Sequence, residues 1–286
     1  MYPDTPVCGA GLGLRRAHLG PLLDQMPAEI DFMELAPENW LGAGGRLAAS
    51  LEKIAAKTTF VSHGLLGNFG GHDPIDIEFL DKTAAFMQRY GVRLYGDHMT
   101  YCADEGQLYE LLPVPYTPAS AQHMADRIKR IQDHLGQRIT AENASYYLTP
   151  LQTIPEEEYI NRVLEEADCL LLLDVNNVYV NSRNHNYDPR EFLRSLPGER
   201  IAYAHIAGHL TTDENIIIDT HGEPVIDPVW ALLDYAYEWF GVFPTLLERD
   251  ENIPVLDIVL SEVNKIRELQ AKHSHSEIEA AEQASA

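Results

Sequence analysis

Short apolar runs alternate with longer segments of 3.6-residue periodicity along almost the whole chain. The runs VCGAGLGL (7–14), EIDFMEL (29–35), TTFVSH (58–63), VRLYGDH (92–98), RITAEN (138–143), CLLLLD (169–174), RIAYAH (200–205) and VFPTLLE (242–248) read as strands. Between and after them, Ala17–Met26, Arg46–Ala56, Asp76–Tyr90, Ala119–Leu135, Glu156–Ala167, the short Pro189–Ser195, Pro228–Phe240 and Pro254–Leu269 read as helices. Such alternation requires parallel strands joined by helical crossovers. Eight units of it fit an α/β fold closed as a (β/α)8 TIM barrel better than an open sheet. An open doubly wound sheet would carry a glycine phosphate loop at its first turn. GAGLGL (9–14) supplies only part of that fingerprint, and Arg15 and Arg16 follow it.

No linker or shift of composition divides the chain, so one barrel domain is expected over 1–270. The polar, alanine-rich stretch 271–286 reads as a disordered tail, with His273 and His275 solvated on it.

In such a barrel the reactive side chains stand where strands end, at the carboxyl face. Seven consecutive strands, the second to the eighth, end in an acid or a histidine: Glu34, His63, Asp97 with His98, Glu142 with Asn143, Asp174, His205 and Glu248. Each alone has a plain structural reading, as a helix cap or a hydrogen-bonded edge residue. Together they would repel one another and pay for desolvation unless a cation sat among them. Mixed imidazole and carboxylate suits Fe, Mn, Co or Zn, and the number of groups exceeds what one ion needs, which points to two or three ions sharing carboxylates. The loop after the seventh strand runs about two dozen residues, long for a βα connection. In it Asp219 and His221 stand at i, i+2, spaced to face one ion from an extended segment. His209 lies four residues past His205 and is a further candidate.

Charge narrows the partners. With 44 Asp and Glu against 21 Lys and Arg, the formal charge is −23, which repels phosphate backbones and anionic membranes, so neither nucleic acid nor a membrane is expected. The N-terminus has no basic region leading into an apolar stretch, and a cytoplasmic protein is expected. Cys8, Cys102 and Cys169 lack CxxC spacing and read as reduced thiols.

SHG (62–64), GDHMTY (96–101), ENASYY (142–147), LDVNNVYVNSRNH (173–185), HIAGH (205–209), DTHG (219–222) and LERD (247–250) occur in this order. In this combination the chain resembles the multinuclear non-haem iron-dependent oxidases, the methanobactin-biosynthesis-oxidase-like family formerly known only as a domain of unknown function. The resemblance covers nearly everything but the tail. It implies a xylose-isomerase-like TIM barrel, two or three irons in a mixed Fe(II)/Fe(III) state, and O2 as co-substrate. It also implies a cysteine-containing precursor peptide as substrate and a partner protein that presents it. Carried over residue by residue, it implies metal ligation by His63, His98, Glu142, Asp174, His205, Asp219, His221 and Glu248, with Asn177 as a neutral amide ligand. Asp174, His205 and Glu248 are then expected at the reacting centre. Glu34, Asp97, Asn143, His185, His209 and Asp250 are expected to orient ligands or meet substrate. The asparagine pair after Asp174 also reads as an Asx turn ending the strand.

The alternative reading is a divalent-metal sugar isomerase or epimerase of the xylose-isomerase type, which needs a lysine or carboxylate for proton transfer; lysine is scarce at these strand ends. A trinuclear zinc phosphodiesterase on the same barrel is disfavoured by the charge, and a metal store or peptide-binding scaffold is the remaining class.

Overall fold

In the computed structural model, which describes residues 5–213 and 216–284, eight parallel strands close into a barrel. They are β1 (Ala10–Gly13), β2 (Phe32–Leu35), β3 (Thr59–His63), β4 (Val92–His98), β7 (Thr140–Glu142), β8 (Leu170–Asp174), β9 (Ile201–Ile206) and β12 (Thr245–Leu247), with β5 (Tyr101–Ala103), β6 (Gln107–Leu112), β10 (Leu210–Thr211) and β11 (Ile217–Ile218) lying outside it. The barrel order follows the chain, and β12 closes onto β1 through Ala10 opposite Thr245 and Leu12 opposite Leu247. The helices are α1 (Leu19–Asp24), α2 (Gly45–Ala55), α3 (Ile77–Tyr90), α4 (Pro118–Leu135), α5 (Glu156–Ala167), α6 (Val175–His185), α7 (Pro189–Ser195), α8 (Asp227–Phe240) and α9 (Leu256–Ala284). The (β/α)8 architecture expected from the alternation is the one observed.

The period-2 rule of strands decides what points inward. Phe32, Val61, Leu94, Leu170, Leu172, Tyr203 and Leu246 fill the barrel interior. Their neighbours Met33, Phe60, Leu171, Leu173 and Leu247 face the helices. At roughly 1.5–3 kcal/mol for each fully buried large apolar side chain, this inner layer supplies the rigid floor of the barrel. One or two further steps of two along the same strands bring the inner face to Glu34, His63, His98, Asp174, His205 and Glu248. The leucine run of β8 ends in an aspartate because the inner face passes there from packed core to polar rim.

Strand β1 is the exception, and its glycines explain GAGLGL without a phosphate. A Cβ on Gly11 would stand 2.6 Å from the Phe32 ring, so glycine there gives Phe32 its place inside the barrel.

Three features depart from the expected outline. Helix α6 starts directly at the end of β8, where the sequence reads as a turn and loop. Its valines and asparagines are poor helix formers, but Asp174 caps it by accepting from the Asn177 amide at 2.6 Å. Two small antiparallel hairpins, β5–β6 and β10–β11, decorate the carboxyl face. Finally, α9 continues to Ala284, across the stretch expected to be a disordered tail; its Ala, Glu and Gln content favours helix, and His273, expected to be solvated, bonds Asp234 at 2.7 Å. The side chain of His275 lies outside the described residues. Among the described residues no helix is long and apolar enough to cross a membrane.

Candidate metal centre

Four triads of histidine and carboxylate gather at the carboxyl ends of β2, β3, β4, β7, β8, β9 and β12, and they share members. His63, His98 and Glu142 form one; Glu142, Asp174 and His205 a second; Asp174, His221 and Glu248 a third; Glu34, His205 and Glu248 a fourth, with all potential ligand atoms of a triad within 4.8 Å of one another. Glu142, Asp174, His205 and Glu248 each belong to two triads, so the three carboxylates could be shared between ions, while His205 offers one nitrogen to each side.

The close distances converge rather than pair off. His63 Nε2 lies 3.1 Å from His98 Nε2, and Glu142 Oε2 stands 2.6 Å from the first and 3.5 Å from the second. His205 Nε2 meets Glu34 Oε2 at 3.0 Å, while its Nδ1 faces Glu248 Oε2 at 3.0 Å and Asp174 Oδ2 at 3.9 Å. His221 Nδ1 lies 3.2 Å from Glu248 Oε2, and its Nε2 lies 2.7 Å from Asp219 Oδ1.

The donor set fits a metal ion on a second observation. Glu142 Oε2, Asp174 Oδ2, Asn177 Oδ1, His205 Nδ1 and His221 Nε2 are all buried and make no aligned hydrogen bond. Buried polar atoms left in this condition cost roughly 1–3 kcal/mol each, so their clustering in one place marks a built site. Imidazole and carboxylate without thiolate suits a first-row ion such as Fe, Mn, Co or Zn.

Electrostatics point the same way. Burial works to raise Glu248 and Glu142, yet His205 and His221 hold Glu248 well below the usual carboxylate range, and His98 and His63 hold Glu142 at about 2. Burial opposes charge on His98, but Glu142 and Asp97 carry it to about 9. Asp174, desolvated and beside Glu142, is pushed well up. Protons on histidines and on Asp174 thus balance the cluster, and cations would take over that balance by displacing them.

A surrounding set of hydrogen bonds fixes the candidate ligands. Asp97 accepts from Gly67 N at 2.7 Å, Tyr95 Oη at 3.0 Å and His98 N at 2.7 Å, locking the end of β4. Asn143 bonds both the amide and the carbonyl of Asp174, each at 2.9 Å. Asn177 donates to Glu142 Oε1 at 3.2 Å and Asn143 O at 3.1 Å, which turns its free Oδ1 toward the cluster. Asp250 accepts from His221 Nδ1 at 3.1 Å and is bound by Arg15. His209 stands one residue further out: its Nδ1 meets Asn176 Oδ1 at 2.7 Å, and Asn176 in turn donates to Asp219 at 2.7 Å. His185 is turned away from the triads, bonded to Tyr146 O and stacked on the Tyr146 ring. Glu34 is drawn in more tightly than a substrate contact would be, since it belongs to a triad and accepts from Tyr203 Oη at 2.5 Å.

Sequence reading missed Arg15, Tyr95, Asn176, Asn181 and Tyr203. Tyr203 was within reach, standing two residues before His205 on the inner face; the asparagines depend on α6, which the sequence hides. His221 adds a backbone signal, with a φ of 49°, the left-handed region costly for a non-glycine residue and common at functional sites.

Comparison with known proteins gives a consistent picture. The family described as RiPP precursor modification enzyme MbnB/TglH/ChrH matches residues 9–271. A UPF0276 protein of Alcanivorax borkumensis is 49% identical over 276 residues, covering 93% of this chain and 92% of that protein. A UPF0276 protein of Nitrosospira multiformis is 51% identical over 267 residues, with 93% and 94% covered. Among solved structures, D-psicose 3-epimerase with D-tagatose from Clostridium cellulolyticum H10 superposes with a TM-score of 0.61 at 11% identity, covering 93% of this chain and 99% of that one. A xylose isomerase domain protein from Alicyclobacillus acidocaldarius gives 0.60 at 15% identity, with 92% and 100% covered. The IOLI protein, with a bound zinc atom, gives 0.61 at 12% identity, with 93% and 99% covered. At such identities these structures share the xylose-isomerase-like barrel and nothing finer.

Proposed function

The chain belongs to the RiPP precursor modification enzyme family MbnB/TglH/ChrH, and from that premise we propose that it is a multinuclear iron-dependent oxidase that uses O2 to modify cysteine residues of a ribosomally made peptide. The observation that carries this reading is the linked set of four triads, whose shared carboxylates and histidine suit two or three ions rather than one.

Iron bound there would supply the redox equivalents for activating dioxygen beside the substrate sulfur. The chain's own residues do the rest. Asp174, His205 and Glu248, which like Glu142 are shared between triads, are the residues proposed for the reacting centre. Asp97, Asn143 and Tyr203 hold His98, Asp174 and Glu34 in place, so that little reorganisation is needed when substrate arrives. Asp219 and His221, on the long loop, complete the outer side.

The reactive thiol belongs to the substrate. Cys102 is buried with its Sγ directed at Leu65 O, and burial together with Asp97 pushes it up to about 12, so it stays a neutral thiol. Exposed apolar side chains on the loops of the carboxyl face, including Leu65, Leu66, Tyr147, Leu148 and Leu151, suit a peptide better than a small polyol. A presenting partner protein and a cytoplasmic setting, where the precursor is made, belong to the same proposal.

The test is elemental analysis and Mössbauer spectroscopy of protein purified anaerobically after iron-57 growth, followed by O2 uptake with a cysteine-bearing precursor peptide. Two or three irons per chain of mixed valence and peptide-dependent O2 uptake are expected. Stoichiometric zinc or manganese, with sugar turnover that needs no O2, would overturn the proposal in favour of an isomerase.

A further inference from the structure

The five residues that follow β7, 143–147, alternate in what they hold. Asn143 bonds the backbone of Asp174; Ser145 Oγ donates to Asp219 Oδ2 at 3.0 Å; Tyr147 Oη accepts the Asp219 amide at 2.9 Å. The intervening residues face the other way. Asn181 Nδ2 donates to Ala144 O at 3.1 Å, Asn181 Oδ1 accepts the Tyr146 amide at 3.0 Å, and Tyr146 Oη donates to Glu156 Oε2 at 2.9 Å. Asn181 also reaches Glu156 Oε1 at 3.3 Å, so both carboxyl oxygens of this buried residue are engaged.

A carboxyl buried among tyrosines, with no basic partner bonded to it among the described residues, is costly and contributes little packing that a leucine would not. Its partners explain it: the loop has no regular secondary structure of its own, and the period of two that aims Ser145 and Tyr147 at Asp219 holds only while Ala144 and Tyr146 are pinned. We propose that Glu156 and Asn181 are positioning residues for the metal-binding segment Asp219–His221, acting through the loop 143–147. The two sit one helix apart, at the start of α5 and in the second turn of α6. They join the elements on either side of the loop and set its height above the barrel. The triad of His63, His98 and Glu142 lies on strands, outside the hydrogen bonds that Glu156 and Asn181 make, whereas Asp219 takes two of its contacts from the loop, through Ser145 and Tyr147, and meets Asn176 and His221 Nε2, each at 2.7 Å, with its other carboxylate oxygen.

The inference rests on the metal-binding part of the proposed function, not on the identity of the metal or on the reaction. Its test is therefore metal content. Glu156→Leu, Glu156→Gln, Tyr146→Phe, Asp219→Ala and His98→Ala are purified as holoproteins and challenged with a competing chelator, and the metals retained are counted. Glu156→Leu and Tyr146→Phe should lose about one ion per chain at chelator concentrations about tenfold or more below those that strip the wild type. Their metal spectra should match that of Asp219→Ala and not that of His98→Ala. Glu156→Gln, which keeps hydrogen-bonding atoms on both sides, should restore the wild-type count. Full retention in Glu156→Leu and Tyr146→Phe would overturn the proposal. So would loss in Glu156→Gln equal to that in Glu156→Leu, or indiscriminate loss from all triads by Tyr146→Phe. Finding zinc or manganese in place of iron would overturn the oxidase reading and leave this one testable by the same counts.

Discussion

The Nε2 atoms of His63 and His98 face each other across 3.1 Å, with Glu142 Oε2 2.6 Å from one and 3.5 Å from the other. Two imidazoles directed at one point and closed off by a carboxylate are preorganised for an ion. His98→Ala should lower metal content by about one ion per chain, or weaken retention about 10–100-fold, read by elemental analysis before and after chelation. An ion bound at 100 times its Kd adds about 2.7 kcal/mol to stability, so chelation should also lower the Tm of the wild type more than that of His98→Ala. Equal metal content in the two proteins would remove this triad from the site.

Asn177 offers a buried amide oxygen with no hydrogen-bond partner while its nitrogen is fully used. Asn177→Leu should lose an ion and Asn177→Asp should keep the count while altering the metal spectrum. A full complement in Asn177→Leu would show the oxygen to be a bystander.

Glu156 gives a pH signature away from the metals. Burial, and secondarily Glu157, raises its carboxyl from 4.5 to about 8, while Tyr146 and Asn181 pull it down less strongly. Because the folded state binds this proton more tightly, its contribution to stability is complete below pH 4.5 and is lost as pH rises through about 8. At 1.36 kcal/mol per unit the loss is at most about 5 kcal/mol. Between pH 5 and 9 the Tm of the wild type should therefore fall more steeply than that of Glu156→Gln; parallel curves would mean that Glu156 is charged throughout.

Cys102→Ala tests where the reactive thiol comes from. With the side chain buried and neutral, metal content and peptide-dependent O2 uptake should stay within twofold of wild type, at a cost of about 1 kcal/mol in stability. Loss of uptake with metals intact would place this thiol in the reaction.

The barrel was legible because strand and helix periods differ and the chain keeps to each. The rim was legible for the same reason: Glu34, His63, His98, Asp174, His205 and Glu248 follow their strands' inner apolar residues in step. Helix α6 was not, since VNNVYVNSRNH has weak helix propensity and takes its conformation from the Asp174 cap and from packing of Val175 and Val178 in the core. With α6 hidden, Asn176 and Asn181 were hidden too, and His185, which stands at its far end against Tyr146, was read as closer to the cluster than it lies. The tail went unread as helix because its composition is polar, and polar composition alone does not separate a solvated helix from a disordered chain.

Asp174 divides its carboxylate between two tasks: Oδ1 begins α6, and Oδ2 is free among the triads. A helix seated on a ligand moves with it. An ion held by Oδ2 would pull on the first turn that carries Asn176 and Asn177, and Asn181, on the same helix, is bonded to the loop that holds Asp219. The candidate ligands at the two ends of the cluster would then be joined through one helix.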